Sequence, residues 1–167
     1  MAIDLISAGV KLYYGVEATK GTRPTSTSDY TPLSGLKEIP EMNPEPETIE
    51  ATTLDNSTYK TYVEGLKDLG GSLGFTFNLT QEFVTAWEAL ITASTAGEED
   101  QLSTWFVIII PGITKALYFK GKPSPLGLPA ISVNSLLEIT AYIVPTGEPQ
   151  WLTKPTKPEP PTGGSGT

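Results

Sequence analysis

The side chains that most enzymes use for proton and group transfer are largely missing from this sequence. It contains no His and no Cys. That removes the commonest general base, the commonest metal ligand, thiolate zinc and iron–sulfur sites, disulfides and cysteine nucleophiles. No Ser–base–acid set can be drawn, and two carboxylates for glycoside cleavage could be picked from any acidic chain. The run Glu98-Glu99-Asp100 lacks the fixed spacing of a cation loop and reads as a solvated loop. GGSLG, Gly70 to Gly74, precedes a strand-like stretch and is not followed by GK[ST], so it is not a phosphate loop. Asn56-Ser57-Thr58 and Asn78-Leu79-Thr80 match the glycosylation pattern, which carries meaning only after secretion. The residues point away from catalysis: no enzyme, no metal and no cofactor is expected.

Charge narrows the partners. Lys plus Arg is 11 and Asp plus Glu is 19, for a net charge of −8, and Arg23 is the only arginine. Such a surface does not grip phosphates. The longest apolar run, Trp105 to Ile110, is strand-sized and far short of the roughly 20 residues of a membrane span. The opening MAIDLISAGV has an acid and no basic n-region, so it does not read as a signal peptide. Synthesis and use in a cytoplasm, or release by lysis, is expected.

The elements that must position any site are mostly strands. The 167 residues suit one domain, and 16 Gly with 15 Pro signal many turns. Residues 1–9 read as an N-terminal arm, 10–145 as the β domain, and 146–167 as a Pro/Gly-rich C-terminal arm that only a neighbour would order. Val10, Leu12, Tyr14 and Val16 alternate as a half-buried strand. Residues 18–32 read as a loop, 33–42 as a poor strand, and 47–54 as a strand. Five acids from Glu38 to Glu50 read as a solvated acidic edge or as an acidic surface toward a partner. Residues 55–70 fit no period. A packed cap over the core and an intermolecular contact loop are both open there.

Leu73, Phe75, Phe77 and Leu79 alternate with Ser72, Gly74, Thr76 and Asn78. A helix over about 80–95 follows, with Thr80 as N-cap and an apolar stripe of Phe83, Val84, Trp87, Leu90 and Ile91. Residues 104–110 are apolar on both parities and should be a strand covered on both faces. Residues 115–122 read as a strand with Leu117 and Phe119 inward, and 123–130 as a turn region. Ile131 to Val144 alternates over 14 residues, which predicts one long strand suited to a wall or barrel stave.

At IEATTLD, Ile49 to Asp55, and TYVEGLKDLGGSLGFTFNL, Thr61 to Leu79, the sequence resembles the tail tube (major tail) proteins of long, flexible-tailed bacteriophages. The segment Tyr30 to Met42 is similar in character, and the resemblance covers about residues 8–145. It implies a mainly β fold, a two-sheet β-sandwich or barrel with one flanking helix, shared with the tube protein of type VI secretion systems. It implies hexameric rings stacked into a hollow tail tube, assembled in the host bacterial cytoplasm and carried in the virion. Viral DNA passes through without specific binding, and the implied partners are further copies, a tape measure protein, a tail terminator and distal tail proteins. The family's long loop toward the next ring falls on residues 55–70, with Asp55, Tyr59, Tyr62, Val63, Leu66, Lys67 and Asp68. Some relatives carry an immunoglobulin-like domain where this chain has its Pro/Gly-rich segment.

Parity places Ser72, Thr76, Asn78, Asn134, Glu138 and Thr140 on a wet face of small polar groups and an acid. That face suits a channel that must not hold a polyanion. A sheet of long strands leaves two exposed borders, which ring closure would pair. Two other readings stay open: a type VI secretion-like tube subunit, and a stand-alone β-sandwich that binds carbohydrate or a capsid through Trp105, Trp151 and the tyrosines.

Overall fold

The computed structural model describes residues 9–55, 58–67 and 71–156. Its elements in order are β1 (Lys11–Val16), a short 3-10 turn (Thr27–Asp29), β2 (Thr31–Leu33), β3 (Leu36–Glu38), β4 (Thr48–Glu50), β5 (Tyr62–Glu64), β6 (Leu73–Asn78), α1 (Gln81–Glu99), β7 (Thr104–Ile109), β8 (Lys115–Pro123), β9 (Glu138–Pro145) and β10 (Gln150–Thr153). Eight strands form one antiparallel sheet in the order β2-β1-β7-β8-β9-β6-β3, with β10 also on β8. The sheet curls into a nearly closed barrel, so the fold is mainly β with one flanking helix.

Strand β8 makes the curl possible. Its first half pairs with β7 and β10, and its last residues, Gly121 to Pro123, pair with β9. A Cβ at Gly121 would lie 2.6 Å from Ile143 Cγ2, so only glycine lets β9 cross this closely. The outermost strands β2 and β3 follow one another, joined by Ser34 and Gly35. Gly35 takes φ +83, and its carbonyl accepts from Asn78 N at 2.9 Å. The chain itself therefore spans the gap between the sheet's two ends. This corrects the expectation of two long exposed borders: each end carries a three-residue strand. Open backbone is left on the outer side of β10, and on β6 where β3 reaches only Thr76 and Phe77.

The interior is aromatic. Phe75 and Phe119 stack at 6.2 Å, Phe106 and Phe119 at 5.3 Å, and Phe77 and Phe83 at 4.4 Å. Helix α1 lays Phe83, Trp87 and Leu90 into this core. Thr80 caps it by accepting from Phe83 N at 3.1 Å, as its sequence implies. The helix runs four residues past its expected end. Glu98 and Glu99 thus lie in its last turn and not in a loop, and Glu98 pairs with Lys122 at 3.0 Å.

Strand β7 is covered on both faces, as its apolar run predicts. Phe106 and Ile108 enter the barrel, while Val107 joins Tyr30, Ala116 and Tyr118 in a second cluster outside it. Burial pushes the Tyr30 and Tyr118 phenols up, so both stay protonated; they donate to Pro24 O and Thr153 O, each at 2.6 Å. Arg23 lies 4.3 Å over the Tyr118 ring. Residues 150–156 are held by their own chain: β10 pairs with β8, Leu152 packs on the second cluster, and Thr156 bridges to Ser26. This corrects the reading of that stretch as an arm needing a neighbour. Its ladder and Leu152 offset the ordering cost suggested by the prolines and glycines of the whole 146–167 segment. Residues 1–8 and 157–167 of the two expected arms lie outside the described residues.

Ile131 to Val144 is not one strand. Only Glu138 onward is β9, and residues 131–137 turn through Asn134 at φ +66. Ser135 Oγ donates to Ser132 O at 2.8 Å, a local bond that competes with the ladder.

Glu17 is the buried carboxylate of the outer cluster, 3 % exposed. It accepts from Trp105 Nε1 at 2.9 Å, Gly21 N at 3.0 Å and Ser103 N at 3.2 Å. Burial raises its pKa, but these donors and the charge of Lys120 outweigh burial and hold it below the ordinary 4.5. A depressed pKa adds stability above the ordinary value, and that stability is lost as pH falls through the folded one. Glu17→Gln should cost about 1–3 kcal/mol at pH 7. The gap from the parent should narrow between pH 5 and 3 in urea melts, and a gap constant with pH would refute this role.

Candidate assembly surfaces

Strands β4 and β5 form a sheet of their own. Thr48 faces Glu64, Ile49 faces Val63 and Glu50 faces Tyr62. Ala51 N donates to Thr61 O at 2.8 Å and Thr61 N to Thr52 Oγ1 at 3.0 Å, extending the hairpin past its strands. Its large apolar side chains face solvent: Ile49 is 56 % exposed, Leu66 88 %, and Leu54, Tyr59, Tyr62 and Val63 are also exposed. Lys67 sits 3.7 Å from Glu64 on the surface. Six of the seven expected contact residues, Asp55, Tyr59, Tyr62, Val63, Leu66 and Lys67, thus lie on or beside one projecting hairpin. Asp68 lies outside the described residues. A cap packed over the core would bury these side chains, so that reading is excluded.

An isolated two-stranded hairpin is marginal in water. No β4 or β5 side chain packs on the barrel core, yet the hairpin presents apolar groups to solvent. Contiguous exposed apolar surface marks a contact site.

A second surface is polar. On the outer face of β3, β6 and β9, Thr76 lies opposite Thr140 and Asn78 opposite Glu138. The two threonine hydroxyls are 3.5 Å apart, and Ser72 continues the face. Lys37 of β3 pairs with Glu138, Glu38 opposite Thr76 adds a second carboxylate, and Tyr142 and Val144 of β9 expose apolar area on the same face. Five of the six residues expected to share a face do so. Asn134 does not, because it sits in the 131–137 turn and not on β9.

The sequence reading missed a third surface. Leu128, Ile131, Val133, Leu136 and Leu137 are exposed on the connection from β8 to β9. Their period-2 spacing imitated a buried strand; the adjacent pair Leu136-Leu137 breaks that period. Trp151 is half exposed on β10, whereas Trp105 packs against the outer cluster and donates to Glu17. Among the described residues no helix is long and apolar enough to cross a membrane.

No family model matches the sequence, and no curated protein matches it. The fold is shared with a chain in the cryo-EM structure of the anti-feeding prophage (AFP) baseplate, determined with sixfold symmetrisation. The match has a TM-score of 0.61 and covers 92 % of this chain and 98 % of the other, at 9 % identity. At that identity the likeness is one of fold.

The exposed hairpin should be dispensable for folding. Ile49→Asp with Val63→Asp should move the stability by no more than about 0.5 kcal/mol, since neither side chain touches the core. A loss of several degrees in thermal midpoint would mean the hairpin packs on its own barrel.

Proposed function

We propose that this chain is a non-catalytic structural subunit of a phage-type tail tube: copies close into rings, six per ring, and the rings stack into a hollow tube. The β4–β5 hairpin carries the proposal. It projects apolar side chains that its own core does not use, and a repeated copy is the simplest partner for them. The shared fold with a chain of a sixfold baseplate supports the same architecture. A heterologous contact that repeats produces a ring where the rotation closes and a filament where it does not.

The β3–β6–β9 face would line the channel. Its hydroxyls, its amide, the Lys37–Glu138 pair, the acid Glu38 and the uncharged Tyr142 and Val144 offer a polyanion no grip. Open backbone on β10 and β6 would take part in ring closure. Tape measure, terminator and distal tail proteins would be the end partners, in a virion assembled in a bacterial cytoplasm. A type VI secretion-like tube subunit is the second version of this reading, and the shared fold with a chain of the anti-feeding prophage baseplate is compatible with both.

Negative-stain electron microscopy of the concentrated chain, alone and with its tape measure partner, should show rings or tubes of uniform diameter. Deleting Tyr59 to Leu66 should abolish them while circular dichroism stays unchanged. A strictly monomeric chain that never enters particles would refute the proposal.

Channel lining has its own test. Thr76→Lys with Thr140→Lys should allow assembly yet slow DNA delivery about tenfold or more, because a ring would then carry a dozen new cations. Normal infectivity would place the face elsewhere.

A further inference from the structure

Helix α1 and the segment after β8 enclose an apolar groove of about 820 Å³. Leu79, Val84, Ile91, Leu126 and Leu128 line it, with Trp87 at its side. Trp87 Nε1 donates to Ser124 O at 2.9 Å, which fixes the segment against the helix and keeps the groove formed. Beyond Leu128 the exposed Ile131, Val133 and Leu136 extend the apolar area outward. The one charge among the described lining residues is Glu88.

The hairpin and the groove belong to opposite ends of the barrel. The hairpin's base, at Met42, Gly65 and Leu66, lies beside Leu117 near the start of β8. The groove begins at Ser124, just past the end of β8. Seven residues of strand separate the two, about 20 Å. In the structure the hairpin leaves its own groove open. A projecting apolar element on one end and an apolar recess on the other fit head to tail between copies.

The apolar area is of the right order. Tyr59 and Tyr62, 78 % and 57 % exposed, alone bring about 200–340 Å² of the roughly 800 Å² that each side of a stable interface buries. Ile49, Leu54, Val63 and Leu66 add aliphatic area. Charge does not drive the contact: the hairpin carries Glu47, Glu50, Asp55 and Glu64 against Lys60 and Lys67, with Lys67 already paired to Glu64, and the recess holds one carboxylate, Glu88, so apolar area must carry the docking.

We propose that the groove between α1 and residues 125–128 receives the β4–β5 hairpin of a second copy of this chain. The inference rests on the tube reading and specifies the receiving half of its stacking contact.

The absence of cysteine makes a clean test possible. Full-length chains carrying Val63→Cys or Leu128→Cys are mixed under assembly conditions and oxidised, with Thr22→Cys as the control partner. Val63–Leu128 heterodimers should exceed Val63–Thr22 heterodimers at least tenfold. Leu128→Asp should lower the assembled fraction at least tenfold without moving the thermal midpoint. If particles form but the Val63–Leu128 pair links no better than the control, the groove proposal fails and the tube reading stands. An intrachain bond in a Val63→Cys, Leu128→Cys double variant would show seating in the same molecule and overturn it. If no condition yields particles, the tube reading fails and takes this proposal with it.

Discussion

The barrel depends on one strand serving two partners on the same side. Strand β8 pairs with β10 along its first half and with β9 at its end, and the close approach at Gly121 lets the sheet turn there. A side chain at that position would push β9 away. The β6–β9 face would then separate from the β1–β7 half, and Phe75 and Phe119 could no longer stack across the interior. The aromatic core, the helix over it and the polar outer face all follow from that turn.

Closure by the chain itself changes where assembly must act. Edge pairing is a general driving force for oligomers because unpaired ladder groups seek partners. Here β2 and β3 shorten both ends of the sheet, and the Ser34-Gly35 link joins them. Long-range edge pairing is thereby limited, and the surface that stands out is apolar side-chain area on the hairpin and on residues 128–137. An assembly built from such side-chain contacts is easier to keep from aggregating than one built from bare edges.

Strands with one buried face were legible in the sequence because a period of two survives any tertiary context. β1, β6 and β9 followed it, and the helix with its Thr80 cap was legible from its own stripe. Ile131 to Leu137 misled for the same reason: alternation reports apolar spacing and not what covers it. Asn134 and the Ser132–Ser135 bond were the signals for a turn. Residues 150–156 misled through their neighbours, since the prolines and glycines of the 146–167 segment conceal one good ladder and one anchoring leucine. The groove beside α1 was not legible at all. It is made by Val84 and Ile91, which the helical stripe assigned to the core, meeting a connection far along the chain.

A hairpin whose strands pack no side chain on the barrel core also sets the character of the assembly. Ordering such an element costs about 1–2 kcal/mol per residue in backbone entropy. Any part of that cost met on docking would make a single proposed contact weaker than its apolar area suggests. In the proposed ring the same contact would repeat, and after the first hairpin docked the others would meet their grooves at high effective concentration. Weak single contacts and strong collective ones favour subunits that stay apart until a template aligns them. The barrel, whose stability lies in Phe75, Phe77, Phe106 and Phe119, is left intact through both states.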